Sequence, residues 1–311
     1  MDEGTPPIVV GVEPTDAGRL AVVWASDEAA RRRLPLRLVH ALDWPTGADR
    51  GSDTNTHRRT WGERFRGVGT RALDEALGFV AARHPSLVTD RVLLDGAPIS
   101  VLPGQARNAA MIVVGSRRLS ATTELLITGS IATSITAHAR CPVVVVREPE
   151  HTTADPRTIV VGVDGSRRSA PAVAYAFDEA SRRSASVVAV HVRQPSTGLM
   201  AGLHTGEELR EGRIRLAETL AGWSEKYPDV PVRREVVVGH PVRVLTGAAE
   251  HALGLVVGTR GHGGFAGMLL GSVSQGLIHH ARCPLMIVPV PVDENAPTRG
   301  RAPDEARHFP G

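Results

Sequence analysis

The segment Gly258-Thr-Arg-Gly261-His-Gly-Gly-Phe-Ala-Gly-Met-Leu-Leu-Gly271-Ser272 follows the apolar run Leu253-Gly-Leu-Val-Val257 and precedes a stretch of helical character. A short apolar run closed by glycine reads as a buried strand. The order strand, glycine-rich loop, helix is that of an α/β protein. Glycines let a ligand approach the main chain closely, and the unpaired amides that open the next helix lie at the positive end of its dipole. The segment is therefore a candidate anion site, in which Ser272 is placed to cap the helix or to touch a phosphate. Its spacing is G-x2-G-x9-G-S.

The rest of the chain is one such unit written twice. Ile8-Val-Val-Gly11-Val-Glu13 returns as Ile159-Val-Val-Gly162-Val-Asp164, and Asp27-Glu-Ala-Ala-Arg-Arg32 returns as Asp178-Glu-Ala-Ser-Arg-Arg183. His40 returns as His191 and Gly115 as Gly258. In the first copy the pattern predicts strands at 8–12, 36–42, 89–95, 111–115 and 143–146. It also predicts a helix at 17–32, a polar loop from Asp43 to Thr56 followed by a long helix to about Arg83, and helices at 98–109 and from Ser130. Such alternation implies a parallel sheet with helices on both faces and right-handed crossovers. Ligands of such sheets bind beyond the carboxyl ends of the strands where the winding reverses, here between the first and fourth strands of each copy. Domains are expected at 1–150 and 156–291, followed by a polar, proline-rich and disordered tail over 292–311.

Composition narrows the function classes. The 311 residues are 42% hydrophobic and 22% charged, enough for two packed cores, with only 4% aromatic residues, so the cores are built from Val, Leu, Ile and Ala. The net charge is +3, and the arginines are interspersed with acids rather than gathered in a stripe, which argues against a nucleic-acid surface. Lys226 is the only lysine, so a lysine-dependent phosphate loop is excluded. No apolar stretch is long enough to span a membrane and the amino terminus has no leader pattern, which points to the cytoplasm. Cys141 and Cys283 recur in Ala-Arg-Cys-Pro at equivalent places and read as small buried hydrophobes.

The G-x2-G-x9-G-S loop, the strand Ile159-Val-Val-Gly-Val-Asp164-Gly165-Ser166 and Ala281-Arg-Cys-Pro284 before a last apolar strand resemble the universal stress protein family. The resemblance implies two doubly wound five-stranded parallel sheets of order 3-2-1-4-5. It also implies pairing of the last strands about a two-fold axis, which a tandem chain can satisfy internally as a pseudo-dimer. ATP is the implied ligand, with Mg2+. Gly258, Gly261, Gly271 and Ser272 would contact phosphate and ribose, and the backbone of Val192 would contact adenine. Asp164 would reach a ribose hydroxyl or a bridging metal ion; the plainer reading is a turn-capping aspartate. His40 and His191 read as structural.

The first copy keeps Gly115, Gly129 and Ser130, but Glu13-Pro14 replaces Asp-Gly, Arg118 replaces the second loop glycine and the loop is one residue longer. Its site is expected to bind ATP weakly or differently. The implied function is a nucleotide-dependent regulatory module of a stress response, dimeric through its last-strand edges and acting on an unidentified protein partner. The rivals are a slow ATP hydrolase or nucleotidyl transferase on the same fold, a nucleotide-free dimerising scaffold, and a flavin-binding relative of the fold.

Overall fold

The computed structural model describes residues 4–43, 55–116, 124–147, 157–194, 206–261 and 270–290. The expected tail at 292–311, most of the polar loop after Asp43, Arg118 and the middle of the second glycine loop lie outside the described residues.

The first copy runs β1 (Ile8–Gly11), α1 (Asp16–Arg32), β2 (Leu36–Leu42), α2 (Asn55–Arg83), β3 (Thr89–Asp95), α3 (Pro98–Gln105), β4 (Met111–Ser116), α4 (Glu124–His138) and β5 (Val143–Arg147). The second runs β6 (Thr158–Gly162), α5 (Ala170–Arg182), β7 (Ser186–Arg193), α6 (Gly206–Thr219), a single turn α7 (Trp223–Lys226), β8 (Val232–Val238), α8 (Pro241–Ala248), β9 (Gly254–Gly258), α9 (Ser272–His280) and β10 (Leu285–Val288). Each copy has the expected order 3-2-1-4-5, but the two sheets are one: ten strands in the order β3-β2-β1-β4-β5-β10-β9-β6-β7-β8. The pairs within each copy are parallel. The joint is antiparallel, with Val143, Val144 and Val145 opposite Ile287, Met286 and Leu285.

This joint settles where the last strands go. Both have neighbours on either side, β4 and β10 for β5, β9 and β5 for β10. The expected two-fold pairing is therefore made inside one chain. It leaves these strands no free edge for a second chain, which corrects the expectation of a dimer through them.

The strands carry apolar residues on both faces because helices cover both. Ile8, Val10, Ile159 and Val161 pack with α1, α2, α5 and α6, while Val9, Ile112, Val160 and Leu255 pack with α3, α4, α8 and α9. Each layer runs across both copies, so the halves share their cores. Cys141 and Cys283 are buried free thiols in the second layer, and burial pushes both up to about 12.

The joint is also held above and below the sheet. Glu28 of α1 and Glu179 of α5 are fully buried, and Arg32 and Arg183 each bond both carboxylates, with Arg183 2.8 Å from Glu28 and Arg32 2.5 Å from Glu179. Arg32 lies 5.4 Å from the ring centroid of Tyr175, and Arg183 5.4 Å from that of Trp24. On the other face, Arg147 of β5 donates to the carbonyls of Ile278 and His279, the open C-terminal end of α9.

One expected helix start moves. Helix α4 begins at Glu124, so Gly129 and Ser130 lie inside it, where main-chain amides are bonded to carbonyls four residues back. The sequence from Leu119 to Thr128 contains no glycine, whereas the matching stretch before Gly271 has Gly263, Gly264 and Gly267. Glycine disfavours helix by about 1 kcal/mol, so nothing in the first copy delays the helix.

Candidate functional site

Strands β6 and β9 are neighbours at the point where the second copy's winding reverses. A cleft of about 430 Å³ opens there beyond their carboxyl ends. Asp164, Val192, Gly258, Gly261, Gly271 and Ser272 all line it.

Asp164 sits two residues past β6. Its carboxylate is oriented by the residue two further on: the Ser166 amide donates to Oδ1 at 3.0 Å and the Ser166 hydroxyl at 2.8 Å. Gly165 between them has φ +78°, the left-handed region that this tight turn needs and glycine enters freely. The glycine loop meets this carboxylate directly, since a Cβ on Gly261 would lie 2.9 Å from Asp164 Oδ2. Two motifs far apart in sequence thus meet across a gap that only hydrogen fits.

The helix end of the loop differs in detail from expectation. Gly271, in an extended conformation, holds the capping position of α9 without a side-chain bond, and Ser272 is the first helical residue. The Gly271 amide is also committed, donating to the Thr259 carbonyl at 2.8 Å. The first-turn amides of Ser272, Val273 and Ser274 have no carbonyl four residues back within the helix, and all three residues line the cleft. Ser274 further ties the helix to the strand, its hydroxyl donating to the Gly258 carbonyl at 2.7 Å.

His191 is buried and donates from Nδ1 to the Val163 carbonyl at 2.8 Å; His40 makes the same bond to Val12 at 2.7 Å. Both rings pin the strand end that carries the acidic residue, the structural role expected of them. Pro241, Leu245, Ser169, Gln194, Arg260 and Ser274 also line the cleft, although the motif did not single them out. The signal for two of them was the second copy of the short helix after the third strand, which begins at Pro241 and carries Leu245 one turn further on.

The equivalent cleft in the first copy is lined by Gly11, Glu13, Val39, Ala41, Pro98, Leu102 and Gly115, and encloses only about 50 Å³. The cause is local. Thr15 caps α1, its hydroxyl oxygen accepting from the Gly18 amide at 3.1 Å, so the helix starts at Asp16. The matching residues 167–169 form a 3-10 turn, and α5 starts only at Ala170. The earlier helix lies against both motif positions: a Cβ on Gly115 would be 2.5 Å from the Ala17 carbonyl oxygen, and one on Gly18 2.3 Å from that of Glu13. At Gly258 the nearest atom would be 3.5 Å away. Arg118, the expected obstruction, lies outside the described residues.

Among the described residues no helix is long and apolar enough to cross a membrane, and no cluster of three metal-ligating side chains occurs.

The universal stress protein family model matches residues 5–147 and again residues 156–289. Universal stress proteins of Mycobacterium tuberculosis and Mycobacterium bovis are each 35% identical over 292 residues, covering 90% of this chain and 96% of the relative. One from Mycolicibacterium smegmatis is 36% identical over 288 residues, with 90% and 96% covered. A solved universal stress protein from Archaeoglobus fulgidus superposes with a TM-score of 0.65 at 15% identity, over 93% of this chain and 97% of its own, which attests the fold. With the family model matched in both halves and relatives aligned nearly end to end, the chain belongs to the universal stress protein family, as a member with two tandem domains.

Proposed function

We propose that the second domain binds ATP together with Mg2+, and that the chain serves as a nucleotide-dependent regulatory module of a cytoplasmic stress response. The observation that carries this reading is the convergence of an oriented carboxylate, a glycine loop and open helix amides on one cleft. Its volume of about 430 Å³ falls in the range of small-molecule sites. The cleft has two halves of different chemistry. Val192, Pro241, Leu245 and Val257 offer an apolar wall suited to a base; Gly258, Gly261, Arg260 and the start of α9 offer donors and positive charge suited to phosphates.

The residues fit the metal as well. Asp164 is the only carboxylate among the described residues lining the cleft. Mg2+ is held by one or two carboxylates with substrate phosphate oxygens and waters completing its shell. Asp164 would hold the ion, with Ser166 keeping the carboxylate turned toward the loop. Once bound, the ion supplies the positive charge that lets a carboxylate and a phosphate chain share one site. The small first cleft supports a chain with one good site.

Calorimetric titration of the nucleotide-stripped chain with Mg-ATP tests the reading, with Gly261→Glu alongside. Binding close to one molecule per chain is expected. Gly261→Glu should abolish it, because its side chain would start 2.9 Å from Asp164 Oδ2 and would add a negative charge. No heat at millimolar ATP would overturn the proposal in favour of a nucleotide-free scaffold.

A further inference from the structure

We infer that four arginines around the turn Asp164-Gly165-Ser166, which borders the second cleft, namely Arg167, Arg168, Arg215 and the cleft-lining Arg260, select ligands by phosphate number, favouring a nucleoside triphosphate over the monophosphate. The inference rests on the nucleotide reading above and adds what discriminates among nucleotides.

The four converge on the turn Asp164-Gly165-Ser166 from three elements. Arg260 lines the cleft beside Gly261. Arg167 and Arg168 form the 3-10 turn directly after Ser166, and the Arg168 carbonyl oxygen lies 3.6 Å from where a Gly258 Cβ would sit. Arg215 of α6 brings its Cβ and Cδ to 3.5 Å from the corresponding point on Gly165. All four residues are exposed, and none of their guanidinium groups has an ion-pair or hydrogen-bond partner among the described residues.

Their grouping around one turn sets them apart. Many other arginines are matched to acids: Arg37 with Asp90 at 2.7 Å, Arg66 with Asp95 at 2.7 Å, Arg83 with Asp27 at 2.6 Å, Arg282 with Glu250 at 2.6 Å. Others that are unpaired among the described residues, such as Arg107, Arg140 and Arg243, are dispersed along the chain. Unmatched cations gathered around one cleft produce a positive field there, and a field acts on a ligand in proportion to its charge. Arginine is also suited to phosphate because its planar fork donates two parallel hydrogen bonds.

The first copy supplies an internal control. The residues matching Arg167 and Arg168 are Asp16 and Ala17 by the 151-residue offset of the first strands. The residue matching Arg215 is Ala72, since Gly69 and Gly212 lie against His40 and His191 respectively. Three of the four are thus absent from the copy whose cleft is nearly closed, while Arg260 keeps a counterpart in Arg117 by the 143-residue offset that pairs Gly115 with Gly258.

The test is equilibrium binding of ATP, ADP, AMP and inorganic tripolyphosphate to the full chain, each with Mg2+ and at two salt concentrations. The comparison variants are Arg260→Gln and the triple variant Arg167→Gln, Arg168→Gln, Arg215→Gln. The wild type is expected to prefer ATP to AMP at least about tenfold, less at high salt because exposed charges are screened beyond about 10 Å at 0.1 M. The variants should compress the ATP to AMP ratio, the triple variant most. An unchanged ratio, or equal weakening of ATP and AMP, would overturn the inference while leaving nucleotide binding intact. Tripolyphosphate should compete with ATP and lose affinity in the same variants; tripolyphosphate binding that the variants leave unchanged would overturn the inference as well. If no nucleotide binds the wild type, the nucleotide reading itself fails and this inference with it.

Discussion

A methyl group on Gly115 would sit 2.5 Å from the Ala17 carbonyl oxygen, and the same group on Gly258, its partner in the repeat, would have nothing closer than 3.5 Å. The two glycines carry the same letter in the same motif for different reasons. Gly115 gives room to a helix; Gly258 leaves room beside a cleft. Overpacking a well-packed region costs about 1–3 kcal/mol when backbone must move. Gly115→Ala is therefore expected to lower stability by about that much, and Gly258→Ala by well under its lower bound, as read from urea denaturation midpoints. Equal losses would mean that the first-copy helix does not press on Gly115 as described. The motif letters were legible in the sequence, and so was the convergence of Asp164 with Gly258 and Gly261, because strand order alone brings them together. The close approach of α1 to Gly115 was not. It follows the early start of α1 at the Thr15 capping bond, and a threonine three residues before a glycine carries no mark of which loop the helix will press on.

At the scale of helices, the repeat Asp-Glu-Ala-x-Arg-Arg places Glu28 and Glu179 four residues before Arg32 and Arg183. A glutamate four residues before an arginine reads as an exposed helical pair worth a few tenths of a kcal/mol. Only the antiparallel meeting of β5 and β10 brings α1 and α5 together and buries both carboxylates, so the charge cluster was hidden from sequence while the strands that build it were plain. Burial raises both carboxyls. At Glu28, Arg183, Arg32 and Arg31 outweigh burial and hold the group below its usual range; at Glu179, burial and the charge on Glu28 leave it above. A first proton therefore goes to Glu179. The sign follows for each group: stability from Glu28 is present above its unfolded value and lost as pH falls through the lower folded one. Protonation of Glu179 instead relieves a cost as pH falls through its raised folded value. Removing one partner of a buried ion pair costs about 3–5 kcal/mol. Glu28→Gln is expected to lose stability of that order at neutral pH. Glu179→Gln, which removes a carboxylate that burial and the Glu28 charge oppose, should lose less. The reverse order in chemical denaturation would refute this division of charge.

At the scale of the whole molecule, the described residues build a ten-stranded sheet whose two apolar layers cross the joint between domains. Helix α1 packs against β4 and β5, α5 against β9 and β10, and the buried Glu28 cluster spans the two helices. A half that unfolded alone would strip the other of an edge pairing and of one arginine partner for its buried carboxylate, and loss of the first half would also remove the Arg147 cap on α9. Each of these losses exposes an apolar edge or leaves a buried charge short of a partner, so independent melting of the halves is disfavoured. Calorimetry of the full chain should give a single transition whose van't Hoff and calorimetric enthalpies agree. Ligand binding sharpens the test. A ligand confined to the second domain stabilises the folded state by RT ln(1 + [L]/Kd), about 2.7 kcal/mol at a hundredfold excess over Kd. If the halves are coupled, Mg-ATP should move the entire heat-absorption peak upward, the first domain's share included. If only part of the heat moved, the sheet would be continuous in geometry and divided in energy, and the joint could open without unfolding either domain.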